Sequence, residues 1–67
     1  MKVKFSFILK NGRDVEVIVD DEKEKLEKVV DVISTAFTNN LEAVARLNTT
    51  LVRISDCSVA EWEILDE

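Results

Sequence analysis

The sequence contains no histidine, no proline and no tyrosine, and its 67 residues include a single glycine, a single cysteine and a single tryptophan. The absence of histidine removes the commonest general base and the commonest metal ligand. One cysteine cannot form an internal disulfide, so the chain does not depend on an oxidising compartment. One glycine cannot build a glycine-rich phosphate-binding loop. We therefore expect no enzyme activity, no catalytic residue, no metal and no cofactor.

Long apolar runs are also missing. No run approaches the ~20 residues that span a bilayer, and residues 1–4 alternate in polarity instead of forming a signal peptide. We therefore expect a cytoplasmic protein with no membrane partner. The chain is short but 46% hydrophobic, which predicts a single folded domain over 1–67 with a small core.

Acidic residues outnumber basic ones, 14 to 9, and the formal net charge is -5. This balance argues against a nucleic-acid partner, which requires a basic surface. Every lysine lies at or before Lys28, whereas the charged residues of 32–67 are mostly acidic. The uneven distribution suggests that basic and acidic strands pair, either within the fold or between copies.

Apolar and polar residues alternate over 2–9 and 13–19, which predicts two half-buried strands. A three-residue loop between them pairs Phe7 with Val15 and keeps the apolar residues on one face. A two-residue turn would pair Phe7 with an acidic residue and mix core with solvent. We therefore predict the three-residue loop, with Gly12 in the left-handed conformation that glycine adopts at least cost.

A helical pattern follows this hairpin, because apolar residues recur at helical spacing after Asp21. Asp21 as N-cap and Glu24 three residues later have the spacing of a capping box. Asn39 and Asn40 suit the left-handed end of a helix. We therefore predict one helix over 21–39.

Residues 41–48 fit two structures. Leu41, Val44 and Leu47 continue the helical spacing in phase, and their neighbours are good helix formers, so we predict a short second helix there. A strand over 43–47 is the alternative.

Two further strands are predicted over 50–54 and 59–65, paired as a second hairpin that keeps its apolar residues on one face. A right-handed crossover places this hairpin beyond the first strand, and the last strand then lies parallel to the first. The predicted fold class is α+β, ordered ββαββ, with a four-stranded mixed sheet of strand order 2-1-4-3 and the helix on one face. This order also brings opposite charges together on the outer face, namely Lys2, Lys4, Glu61 and Glu63.

The strand–strand–helix–strand–strand order, with Asn11-Gly12 between alternating strands and an acidic cap at Asp21, resembles the β-grasp fold over nearly the whole chain. It is most similar to the small immunoglobulin-binding domains of protein G and protein L type. Immunoglobulin binding is not implied, because the second hairpin lacks a glycine turn and residues 41–48 are extra. In size and acidity the chain is also similar to the short accessory proteins of bacteriophages and prophages.

Several apolar residues interrupt the polar face of the predicted sheet. A cluster of this kind on one sheet face indicates a partner surface. We therefore predict five interaction residues, namely Ile8, Ile18, Leu51, Val59 and Leu65. Trp62, in contrast, shares its phase with apolar neighbours and is predicted to lie in the core. Cys57 has no cationic neighbour in the sequence and is predicted to be structural.

We therefore expect a small non-enzymatic module, such as a phage-type accessory or inhibitor protein, that binds another protein or a second copy of itself through a sheet face or an edge strand. Two alternatives stay open. An oligomer could sequester a small molecule between subunits with its cations, namely Lys2, Lys4, Arg46 and Arg53. The acids around the start of the helix could instead mimic nucleic acid, namely Asp20, Asp21, Glu22, Glu24, Glu27 and Asp31. The regular helix would also suit an engineered sequence.

Overall fold

A computed structural model describes residues 1–66, which form one α-helix and five β-strands. The elements are β1 (Lys2–Leu9), β2 (Asp14–Asp20), α1 (Lys23–Thr38), β3 (Val44–Leu47), β4 (Thr50–Arg53) and β5 (Cys57–Asp66). A short 3₁₀ turn over Ile54–Asp56 joins β4 to β5. The strands form two antiparallel sheets: sheet A has the order β2-β1-β5, and sheet B consists of β3 and β4.

The predicted register of the first hairpin is confirmed. Phe7 lies opposite Val15, so the apolar residues of β1 and β2 share one face. The N–H of Leu9 donates to the carbonyl of Arg13 at 2.8 Å, which closes the three-residue loop. Gly12 has φ 90°, a left-handed conformation in which a side chain would be strained.

The start of α1 differs from the prediction. The N-cap residue is Glu22, whose side chain makes no capping hydrogen bond. The Asp21 carboxylate accepts from the N–H of Glu22 at 2.7 Å, so the predicted capping box with Glu24 is wrong. The N–H of Asp21 donates to the carbonyl of Met1 at 3.1 Å. This bond extends the β1–β2 ladder by one pair and moves the start of the helix beyond Asp21.

The end of α1 lies at the predicted asparagines. Asn40 has φ 52°. The N–H of Leu41 donates to the carbonyl of Ala36 at 2.9 Å, and the N–H of Asn40 donates to the carbonyl of Phe37 at 3.4 Å. These two bonds form a Schellman motif, which satisfies carbonyls at the end of the helix.

The short second helix predicted over 41–48 is wrong, because β3 occupies Val44–Leu47. Ala45 and Leu47 are buried, whereas the residues before each of them are exposed. A helix would not bury every second residue, but pairing with β4 does. The two strands are joined by a tight turn in which Asn48 has φ 57°.

The four-stranded mixed sheet with strand order 2-1-4-3 is also wrong. β4 pairs with β3 and not with β5, and β5 pairs with β1 in the antiparallel direction. The additional strand β3 explains both errors. It takes β4 as its partner, so β5 starts beside the end of β1, where Cys57 lies opposite Leu9. The predicted neighbours Lys4 and Glu63 are nevertheless paired across β1 and β5.

The hydrophobic core combines residues of sheet A, α1 and sheet B. Five of its large side chains are at most 2% exposed, namely Phe5, Phe7, Leu26, Ile33 and Leu47. Sheet B also reaches the β2 side of sheet A, because the side-chain amide of Asn48 donates to the carbonyl of Ile18 at 3.0 Å. The core is therefore covered by two elements, the helix and the small second sheet.

Candidate interaction site

Three of the five predicted interaction residues lie on the outer face of sheet A, which is the face turned away from the core. Ile8 lies directly opposite Val59. Ile18 lies on the same face, opposite Lys4, four residue pairs along the β1–β2 ladder. All three apolar side chains are exposed. A shallow depression of about 340 Å³ on this face is lined by Ile8 and Val59 among others. The structure therefore brings Ile8 and Val59 together.

The other two predicted interaction residues lie elsewhere. Leu51 is on the exposed face of sheet B, opposite Arg46, and is 67% exposed. Leu65 lies near the end of β5 at a register shift, where it has no direct partner on β1. The five residues therefore do not form one patch, because Leu51 lies on the second sheet and Leu65 lies at a register shift.

Both signs of charge are present on the outer face of sheet A. Lys4 lies opposite Glu63, and Ser6 lies opposite Glu61. The only salt bridge among residues 1–66 joins the amino group of Met1 to an aspartate of β2, at 3.9 Å. The carboxylates of Glu61 and Glu63 therefore form no ion pair within this part of the chain.

The outer margin of β5 has unpaired backbone groups. The N–H of Leu9 donates to the carbonyl of Arg13 across the first hairpin, so the odd-numbered residues of β1 direct their backbone N–H and C=O groups toward β2. In an antiparallel ladder these directions alternate, so the backbone groups of the even-numbered residues of β1 point toward β5. Glu61 lies opposite Ser6 and Glu63 lies opposite Lys4, so the backbone groups of both glutamates form hydrogen bonds with β1. The residues between and beside them direct N–H and C=O away from β1. No strand within residues 1–66 pairs with that margin. We call it the open edge, defined by Ala60, Trp62 and Ile64.

A groove of about 390 Å³ runs beside the open edge, between α1 and β5. Trp62 and Ile64 line it from the sheet, and Leu26 and Val30 line it from the helix. Trp62 lies opposite Phe5 and thus on the core side of sheet A, but it is 42% exposed, and Ile64 is 51% exposed. The prediction that Trp62 is buried in the core is therefore wrong. Its strand is at the margin of the sheet, where the helix and sheet B leave it partly uncovered.

The sequence contained one signal that could have found this edge. β5 is ten residues long, whereas β4 has only four. The predicted pairing of 50–54 with 59–65 already left the end of the longer strand without a partner. A length mismatch of this kind indicates that part of the longer strand pairs elsewhere or stays open.

Cys57 is buried at the start of β5, and its thiol donates to the carbonyl of Arg53 at 3.5 Å. Burial raises the pKa of this thiol above its ordinary value of 9.0, and the nearby Asp56 carboxylate raises it further, against a smaller lowering by Lys10. The thiol is therefore protonated at neutral pH, when it is a poor nucleophile. This state supports a structural role. No cluster of three or more metal-ligating side chains occurs in the described part of the chain.

The charged residues behind the two alternative hypotheses are placed differently. Lys2 and Lys4 lie on sheet A, whereas Arg46 and Arg53 lie on the exposed face of sheet B. One copy of the chain therefore does not gather these cations. The acids lie from the end of β2 into α1, namely Asp20, Asp21, Glu22, Glu24, Glu27 and Asp31. Lysines interrupt this run, as they do in the sequence.

Comparison with known proteins finds no matching family model, no similar curated protein and no similar solved structure. The resemblance to β-grasp domains and to phage accessory proteins therefore stays a prediction. No helix within residues 1–66 is long and apolar enough to cross a membrane.

Proposed function

We propose that this chain is a small non-enzymatic protein-interaction module that binds an extended segment of a partner protein along the open edge of β5. One observation carries the proposal. Trp62 and Ile64 combine outward backbone groups with half-exposed apolar side chains beside a groove. An extended segment would satisfy the backbone groups as an additional strand, and its side chains would fill the groove.

Apart from the outer-face charges of Glu61 and Glu63, the open edge lacks the devices that usually protect a sheet margin. Proteins guard edge strands with proline, with inward-pointing charges or with bulges. From Ala60 to Ile64 the strand contains no proline, and its groove-side residues are apolar. The register shift at Leu65 interrupts the ladder only near the end of the strand. The unguarded stretch is therefore about five residues, which corresponds to ~17 Å of extended chain.

The expected affinity is modest. Covering the exposed part of Trp62, 42% of the side chain, would remove roughly 100 Å² from water, which contributes about 2.5 kcal/mol. Each backbone hydrogen bond adds a net of about 1 kcal/mol. Ordering a flexible segment opposes these terms. We expect dissociation constants of about micromolar magnitude for an isolated segment.

A selection experiment tests the proposal. Random seven-residue peptides are displayed and selected for binding to the chain, and the selected peptides are then tested against Ala60→Pro. The N–H of Ala60 faces outward, so proline there blocks the open edge without removing a bond to β1. The matched control is Glu16→Pro, which places the same ring at an outward position of β2, on the other margin of sheet A.

We expect the selected peptides to alternate in polarity and to lose at least tenfold in affinity with Ala60→Pro. Glu16→Pro should bind them as well as the native chain does. Circular dichroism establishes that both variants fold. Peptides that bind Ala60→Pro and the native chain equally, or a selection that yields no binder, would contradict the proposal.

The outer face of sheet A supports a second candidate function, which is self-association. Ile8 and Val59 form an adjacent exposed apolar pair, and the face around them carries both lysines and glutamates, so two copies could present opposite charges to each other. Sedimentation of the native chain should then depend on concentration, and Ile18→Lys should abolish that dependence. Val32→Lys is the matched control, because Val32 is equally exposed but lies on α1. A strict monomer up to millimolar concentration would exclude this candidate.

A further inference from the structure

We infer that the segment bound at the open edge is a basic amphipathic strand, in which apolar residues alternate with lysine or arginine. This inference rests on the proposed function and specifies the chemistry of the partner. It follows from the two faces of β5, because the groove side is apolar and the outer face carries Glu61 and Glu63.

Pairing with the open edge would fix the face on which each side chain of an added strand lies. In an antiparallel ladder, directly opposed residues lie on the same face of the sheet. Partner residues opposite Ala60, Trp62 and Ile64 would therefore lie on the groove side. Those opposite Glu61 and Glu63 would lie on the outer face, in solvent. The partner is thus five residues long, and its first, third and fifth side chains lie on the groove side of the sheet.

The groove side selects apolar side chains. Trp62 and Ile64 form one wall, and Leu26 and Val30 of α1 form the other. The charged residues that also line the groove belong to α1 and include both signs, with Lys23 as the cation. Against the walls formed by Trp62, Ile64, Leu26 and Val30, a charged side chain would lose hydration, whereas an apolar side chain gains from burial.

The outer face selects basic side chains. Glu61 lies opposite the uncharged Ser6, and neither Glu61 nor Glu63 forms a salt bridge among residues 1–66. Cross-strand pairs of opposite charge stabilise a sheet, and like charges directly opposite destabilise it. A partner strand with two cations at these positions would therefore be favoured.

The chain itself contains a strand with this pattern. On the inner margin of β5, Val3 and Phe5 of β1 face the core while Lys4, between them, lies opposite Glu63. An apolar–basic–apolar strand is therefore already paired with β5 on one side. The inferred partner would repeat this chemistry on the other side.

A second copy of the chain fits the open edge less well. If two β5 strands paired antiparallel about Trp62, Glu61 of one copy would lie opposite Glu63 of the other. Two such repulsive pairs would form at once. The charges of β5 thus favour a different, basic partner segment over self-pairing.

Three synthetic seven-residue peptides, with blocked termini, test the inference. Each alternates valine with a second residue, which is lysine, serine or glutamate. Trp62 is the only tryptophan of the chain, so its fluorescence reports binding directly. We expect the lysine peptide to bind at least tenfold more tightly than the serine peptide at low salt. The advantage should shrink as salt rises, because exposed ion pairs are screened.

Charge reversal supplies the decisive variants. The double variant Glu61→Lys and Glu63→Lys should prefer the glutamate peptide over the lysine peptide by a similar factor. Glu42→Lys is the control, because Glu42 is an exposed acid outside the helix and strands, and it should retain the native preference. Amide exchange should show that the N–H groups of Trp62 and Ile64 become protected when the lysine peptide binds.

The outcomes separate the two proposals. Equal binding of the lysine and serine peptides, or no reversal in the double variant, would overturn the inferred chemistry and leave strand binding intact. Failure of all three peptides to bind would overturn both. A change of Trp62 fluorescence with protein concentration alone would identify a second copy as the occupant and overturn the inference.

Discussion

The two margins of sheet A carry similar residues and meet different surroundings. Val19 on β2 and Ile64 on β5 are both direct neighbours of Val3, one on each side of it. Val19 is 8% exposed, whereas Ile64 is 51% exposed. The β2 margin is joined to sheet B at one point, where the Asn48 side chain donates to an outward carbonyl of β2. Within residues 1–66 no element performs this role beside β5.

The difference shows that alternation along a strand determines the face of a residue but not its burial. Both margins place β-branched or aromatic side chains on the core side of the sheet. Burial then depends on whether another element covers that margin. Where cover is present, the residues add to the core. Where it is absent, the same pattern leaves apolar side chains exposed.

The largest expected effect comes from truncating these two residues. Val19→Ala removes two buried carbons and should lower the free energy of unfolding by about 2–3 kcal/mol, from lost transfer energy and the cavity left behind. Ile64→Ala removes more atoms but should cost only about 1 kcal/mol or less, because the side chain is half in solvent. Urea unfolding followed by circular dichroism measures both. Equal losses would show that the β5 margin is covered in solution.

The residues of the first hairpin were predictable because their constraints are local. Only one register of β1 and β2 keeps Phe7 and Val15 on the same face, and Gly12 supplies the left-handed residue that this register needs. The exposed positions of Ile8 and Ile18 follow from the same alternation. No distant part of the chain is needed to determine this register or these exposed positions.

The identity of residues 44–47 as a strand was not predictable in the same way. Leu41, Val44 and Leu47 fit a helix, and Val44 to Leu47 also alternate as a strand requires. The choice is made by β4, which pairs with β3 and leaves Ala45 and Leu47 buried in the core. The strand over 43–47 was only the alternative in the sequence analysis, and without it the direction of β5 was predicted wrongly too. The exposure of Trp62 was missed with it, because the predicted strand order 2-1-4-3 placed 59–65 inside the sheet.

Asn48 offers a smaller test, because it links the two sheets on the covered margin. Asn48→Ala removes the hydrogen bond to Ile18 and places alanine at φ 57°, which together should cost about 2 kcal/mol. Asn48→Gly loses only the hydrogen bond and should cost about 1 kcal/mol. Urea unfolding followed by circular dichroism measures both losses. If alanine and glycine cost the same, the left-handed conformation of residue 48 does not contribute.

Cys57 extends the comparison along β5 itself, since this end of the strand is buried and the open edge is not. Because burial and Asp56 raise the pKa of the folded thiol above 9.0, the folded state holds its proton more tightly than the unfolded state. The resulting stabilisation is complete below the unfolded pKa and is lost as pH rises through the folded pKa. The difference in unfolding free energy between the native chain and Cys57→Ala should therefore be constant up to about pH 9 and shrink above it. Other titrations, common to both chains, cancel in this difference. A difference that stays constant into strongly alkaline solution would mean that the start of β5 is as open to water as its edge.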